Sequence, residues 1–121
     1  VWSQRGKRVA VLDIDPQGSL THWHAVREER FGEGYTGLTF GALSGWRVGS
    51  EISRLRKGHD VIVIDSPPHT ETEARTAIRN ADLIVVMDKG RIVGQGQHED
   101  LLRTCEVYHH LYERQLLAAP V

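Results

Sequence analysis

With 121 residues, 40% of them hydrophobic and 26% charged, the chain has the size and mix of one small globular domain. Lys and Arg total 15 against 16 Asp and Glu, a balance that argues against a dedicated nucleic-acid binder and shows no clear basic patch. No apolar run approaches the roughly 20 residues that span a bilayer, and no basic-then-apolar signal segment opens the sequence, so a cytoplasmic location is expected.

Residues 1–7 read as the tail of a helix followed by a glycine stop at Gly6, which leads us to expect further sequence upstream. Residues 8–14 (RVAVLDI) form a short β-branched run, the signature of a buried parallel strand. The turn-forming segment Asp13-Ile14-Asp15-Pro16-Gln17-Gly18 ends it. Ser19 is then the expected cap of a helix reaching about Arg30, with Leu20, Trp23 and Val26 on its apolar face. Residues 38–43 suggest a short strand. Residues 48–57 suggest an amphipathic helix through Ile52 and Leu55, stopped by Gly58.

Residues 60–65 (DVIVID) are the clearest strand, ended by Ser66-Pro67-Pro68 because proline cannot continue a ladder. Residues 70–80 read as a helix with Thr70 at its cap and Glu73 in the capping-box position. Residues 82–87 (DLIVVM) read as another buried strand. Asp88-Lys89-Gly90 reads as a hairpin turn, residues 91–93 as its return strand, and residues 98–104 and 107–117 as two short helices. Alternating strand and helix signals predict an α/β fold with a mostly parallel sheet, departing into a C-terminal β-hairpin and helical tail.

Two of the predicted strands end in carboxylates, Asp13 with Asp15 and then Asp65. In open α/β sheets ligands gather at the carboxyl ends of strands. Hard oxygen ligands there suit Mg²⁺, which takes one or two carboxylates, water and substrate phosphates. Aspartate is also a common turn and cap residue after a strand, so the residue types alone leave a purely structural role open.

The segment GKRVAVLDIDPQGSLTHW resembles the ParA/MinD family of partition and positioning ATPases, and DVIVIDSPPHTETEARTAIRNADLIVV resembles the Walker B region of that family. The resemblance covers residues 1–86 and implies a three-layer, P-loop type of α/β fold acting on ATP with Mg²⁺. It implies that Asp15 is the catalytic acid near the γ-phosphate and the attacking water. It makes Asp65 the metal-side acid, and it puts Asp13, Pro67 and Pro68 at the cofactor. The family's glycine-rich phosphate loop is absent, and no G-x-x-x-x-G-K-[ST] occurs anywhere in the chain. Without those backbone N–H groups and that lysine, the carboxylates face a polyanion with no counter-charge. The sheet is then expected to lack the P-loop strand, and the chain alone is expected not to hydrolyse ATP.

From about Thr76 onward, TAIRNADLIVVMDKGRIVGQGQHEDLL resembles the end of an ABC-transporter nucleotide-binding domain, and residues 107–112 suit its final helix. The two resemblances overlap at residues 79–86, so the chain reads as one incomplete domain over residues 1–121, ParA-like over 1–86 and ABC-like over 76–121. The catalytic elements of the ABC family would lie upstream of that overlap. The position of its switch histidine falls at Glu73, and His98 belongs to the structural ending.

The remaining clusters suggest little chemistry. His22 and His24 sit two apart, on different faces of a helix, and adjacent His109 and His110 diverge likewise. Cys105, the single cysteine, has no partner for an internal disulfide and no activating neighbours. Three functions follow as expectations. The first is a truncated or chimeric partition-type ATPase module. The second is a non-enzymatic scaffold, paired through its open sheet edge as a homodimer or with a partner chain that supplies the missing strand. The third is a fragment of an ABC-transporter ATP-binding subunit.

Overall fold

A computed structural model describes residues 2–67 and 71–118, and the side chains of all of these except residues 45, 71–74 and 115–118. β1 (Val9–Asp13) is its best-covered strand, with all five residues buried. It lies between two parallel neighbours, β2 (Thr39–Ala42) on one side and β3 (Val61–Asp65) on the other. A strand apolar on both faces belongs at the centre of a parallel sheet, and β1 holds that place.

The chain divides into two compact units, Val1–Pro67 and Pro68–Val121. In the first, a short 3₁₀ turn at Ser3–Arg5 ends at Gly6 in the left-handed conformation and leads into β1. Helix α1 (Ser19–Phe31) joins β1 to β2, and helix α2 (Val48–Leu55) joins β2 to β3. Helix α2 buries Val48, Ile52 and Leu55, the stripe its sequence spacing predicts. At the amino-terminal edge, Arg8 and Asp60 tie β1 to β3. The Arg8 backbone N–H donates to Asp60 Oδ2 at 2.8 Å, and its guanidinium donates to both Asp60 oxygens at 3.3 and 3.1 Å.

Helix α1 departs from expectation in two ways. Its N-cap is Gly18, which has no side chain to offer, and Ser19 is already inside the helix. Its inward residues are not Trp23 and Val26, which are 41% and 45% exposed. Leu20, Thr21, His24 and Glu28 are the half-buried positions instead. Two contacts set this rotation. Thr21 is held by Asp13, and the His24 ring stacks on Phe40 of β2 with centroids 4.4 Å apart and planes 8° from parallel.

The second unit contains helix α3 (Glu71–Asn80), an antiparallel hairpin of β4 (Ile84–Asp88) and β5 (Arg91–Gly96), and helices α4 (His98–Thr104) and α5 (Glu106–Ala118). The expected parallel sheet and C-terminal hairpin are both present, in separate sheets. Residues 84–88 pair only with β5 among the described strands, so the parallel sheet has three strands and the hairpin stands as a separate two-stranded sheet. The strand is also not buried on both faces. Helices pack on one side of the hairpin, so Val86 is buried while Val85 and Met87 are exposed. The expected turn is present, with positive φ at both Lys89 and Gly90, the backbone that a two-residue hairpin connection requires.

The core of this unit is Val86, Leu101, Cys105 and Tyr108, with Ile84, Leu102 and Val107 around it. A Cβ at Gly94 would lie 2.8 Å from Cys105 Sγ and 3.3 Å from Leu101 Cδ2, so glycine is what lets β5 approach α4. Tyr108 donates or accepts a 2.6 Å hydrogen bond with His98 Nδ1 across the α4–α5 corner. Burial, with Tyr112 close by, pushes the Tyr108 hydroxyl up to about 12. No helix among the described residues is long and apolar enough to cross a membrane.

Candidate functional site

β1 and β3 run in the same direction and in a register that sets Asp13 opposite Asp65. The Ile14 N–H donates to the Asp65 carbonyl at 3.0 Å, which continues the pairing one residue past β1. The acids therefore share the carboxyl edge of the parallel sheet, the edge at which such folds bind ligands.

The three carboxylates are not equivalent. Asp13 is only 2% exposed, and both of its oxygens are occupied. Oδ1 accepts the Asp15 backbone N–H at 3.0 Å. Oδ2 accepts the Thr21 backbone N–H at 2.8 Å and the Thr21 hydroxyl at 2.6 Å. Thr21 lies in the first turn of α1, where backbone N–H groups have no partner within the helix. Asp13 thus caps α1 from eight residues upstream and supplies what Gly18 cannot.

Asp15 is half-buried. Its Oδ1 accepts the Gln17 N–H at 2.9 Å, and its carbonyl accepts the Gly18 N–H at 2.9 Å, closing the turn into α1. Its Oδ2 has no hydrogen bond among the described residues. Nor does any donor among them reach the Asp65 carboxylate, which is also half-buried. Burial raises the Asp65 pKa, and the nearby charges of Asp13 and then Asp15 raise it further. Pro67 follows β3 and is half-buried, while Pro68 lies outside the described residues, as does the expected cap Thr70.

Among the described residues, Asp15 and Asp65 are the acids of this edge whose carboxylates keep an oxygen without a hydrogen bond. Among the described residues no three His, Cys, Asp or Glu side chains come together to hold a metal ion. Two carboxylates suit Mg²⁺ only where phosphate oxygens and water complete its shell. The sequence has no phosphate loop to deliver them. The residues present fit half of such a site.

Thr21 escaped the sequence reading because its partner lies eight residues away, across a turn whose geometry no local pattern encodes. His24 escaped it too. Its Nε2 lies 3.3 Å from Glu28 Oε1 and 3.4 Å from the Thr36 hydroxyl, so it anchors α1 rather than forming a metal pair with His22. In the second unit His109 Nε2 lies 3.0 Å from Glu113 and His110 Nε2 lies 3.5 Å from Glu106, each an i,i+4 contact along α5.

Over about half its length the chain is homologous to ABC-transporter ATP-binding proteins. It is 40% identical over 65 residues to an alpha-hemolysin translocation ATP-binding protein of Escherichia coli, which covers 53% of this chain. It is 49% identical over 45 residues to the subtilin transport ATP-binding protein of Bacillus subtilis, covering 37% of this chain. It is 38% identical over 69 residues to an ATP-dependent lipid A-core flippase of Saccharophagus degradans, covering 57% of this chain. The matches span only 8%, 7% and 11% of those relatives' own lengths. No family model and no solved structure matches. These relatives support the ABC-type segment read from the sequence and say nothing of the partition-ATPase motifs.

Proposed function

We propose that the chain is a fragment of an ABC-transporter type of ATP-binding protein, with the second unit forming the closing hairpin and helices of such a domain. The observation that carries this reading is the 40% identity over 65 residues to a transport ATP-binding protein. The hairpin, the tight Gly94 approach and the α4–α5 corner suit a segment whose task is packing rather than catalysis. ATP and Mg²⁺ are the ligands of the whole domain in this reading, and this chain lacks the loop that would hold the phosphates. A graft tests it. An exporter ATP-binding domain whose own ending is replaced by residues 82–118 should still fold and hydrolyse ATP. Loss of both, with the graft junction shifted by a few residues to exclude a bad seam, contradicts the reading.

A second reading concerns the first unit, and the register of Asp13 against Asp65 favours it. In this reading the unit is half of a three-layer P-loop module of partition-ATPase type. Asp15 is the acid nearest the transferred phosphoryl group, Asp65 is the Mg²⁺-side acid, and Pro67 and Pro68 form the segment that follows. Phosphoryl transfer needs positioning and charge neutralisation, and only the acidic half of that apparatus is in the sequence. The outer edge of β3 supports a strand-donating partner. β3 is apolar from Val61 to Ile64 and pairs only with β1 among the described strands, with no proline, lysine or bulge within it. A second copy or another chain would add a strand there. Sedimentation that shows a strict monomer at high concentration would contradict pairing between copies.

A further inference from the structure

The turn that follows β2 leaves the sheet at the same edge as the acids. β2 runs parallel to β1 with Ala42 opposite Asp13, and the Leu43 N–H donates to the Asp13 carbonyl at 3.1 Å. The chain then winds through a 3₁₀ turn at Gly45–Arg47 into α2, closed by the Arg47 N–H on the Ser44 carbonyl at 3.0 Å. Loops at the carboxyl edge of a parallel sheet are where ligand-binding side chains gather.

This turn carries Trp46, which is 77% exposed and so the most exposed large hydrophobic side chain among the described residues. The Arg47 guanidinium carbon lies 5.9 Å from the centroid of its ring. Arg8, Arg54 and Arg103 each pair with a carboxylate. Among the described residues Arg47 has no such pair. Glu51, the acid one turn along that feels its charge, is engaged by Arg54.

The two side chains offer complementary chemistry. A flat indole face stacks on any base, and an unpaired guanidinium takes phosphate oxygens in two parallel hydrogen bonds. A protein partner fits less well. Val48 is buried, and the other residues around Trp46 in the chain are Ser44, Arg47, Gly49 and Ser50, which supply no contiguous apolar patch for an interface core.

We propose that Trp46 is the stacking platform for the base of a nucleoside polyphosphate, with Arg47 meeting its phosphates. This rests on the partition-ATPase reading of the first unit. Arg47 supplies a cation at an edge otherwise lined by Asp13, Asp15 and Asp65. It does not supply the backbone cradle of a phosphate loop, so the nucleotide is bound without being turned over. Stacking reads no base edge, so adenine and guanine nucleotides bind alike.

The test is calorimetric titration of the full chain in Mg²⁺ buffer. ATP and GTP should bind with comparable affinity. Trp46→Ala should weaken both by about tenfold, and Trp46→Phe, which keeps a ring, should restore most of the loss. Arg47→Gln should weaken ATP and shrink its advantage over adenosine. ATP binding that Asp65→Ala weakens and Trp46→Ala leaves unchanged overturns the stacking proposal and leaves the reading of the acids standing. No binding of ATP by the parent chain overturns both. Tighter binding of a single-stranded oligonucleotide than of ATP, or binding of ATP with none of GTP, overturns the proposal as well.

Discussion

Asp13 and Thr21 form the joint that fixes α1 to the end of β1, with the aspartate Oδ2 accepting both the backbone N–H and the hydroxyl of the threonine at 2.8 and 2.6 Å. The joint uses up the carboxylate that sequence resemblance places at the cofactor. It therefore separates the three acids into one that is buried and holds structure and two that are half-buried.

Thr21→Val should lower stability by about 1–3 kcal/mol, because it leaves a buried carboxylate oxygen short of a donor. Urea unfolding followed by dichroism measures this, as a lower midpoint at unchanged slope. A midpoint equal to the parent chain would mean that Asp13 is not committed to capping α1.

The strands were legible because their signal is local. The β-branched runs at residues 9–13 and 61–65 need only their own composition to declare strands, and the structure pairs them in parallel, with β1 buried and β3 largely half-buried. The rotation of α1 was not legible. Trp23 and Val26 look inward by periodicity, yet the Asp13–Thr21 joint and the stacking of His24 on Phe40 turn them out. Both contacts join residues at least eight apart. The strand at residues 84–88 misled for a related reason. An apolar run reads the same whether a sheet or a few helices cover it, and only the hairpin pairing separates the two. Of the candidate site, the carboxyl-edge placement of the acids was legible, and the distinct state of each was not.

Asp65→Asn should stabilise the chain at neutral pH. The folded pKa of Asp65 is raised, so the native state binds more protons than the unfolded chain in the window above the ordinary carboxylate value of 3.8. Stability therefore falls as pH rises through that window, and the charged form carries the penalty above it. The gain from the asparagine should be present at pH 7 and fade as the pH falls below the ordinary value. Urea midpoints from pH 3 to 8 measure it, and a variant less stable at pH 7 would mean that Asp65 has a favourable partner.

Asp60 has the opposite sign. The hydrogen bonds from the Arg8 side chain and backbone lower its pKa to about 2. Its stabilising effect is present above the ordinary value of 3.8 and is lost as the pH falls towards 2. Asp60→Asn should remove that part of the acid dependence, and the parent and variant curves should converge at the acid end. The pair is exposed, so salt should shrink the difference.

Gly94→Ala should destabilise the second unit by about 1–3 kcal/mol through overpacking against Cys105 and Leu101. Adding Cys105→Ala removes the Sγ that the new methyl meets at 2.8 Å. The double variant should lose less than the sum of the single changes, and a double-mutant cycle of unfolding free energies reads that coupling. Strict additivity would mean that β5 and α4 do not pack as described.

In the second reading proposed above, Asp15 and Asp65 form the acidic half of a nucleotide site, in a sequence without the loop that grips phosphate. Phosphate release from Mg²⁺-ATP by the purified chain, beside its Asp65→Ala variant, tests this most directly. No turnover above the buffer rate is expected from either. Sustained turnover by the parent chain that Asp65→Ala abolishes would contradict it.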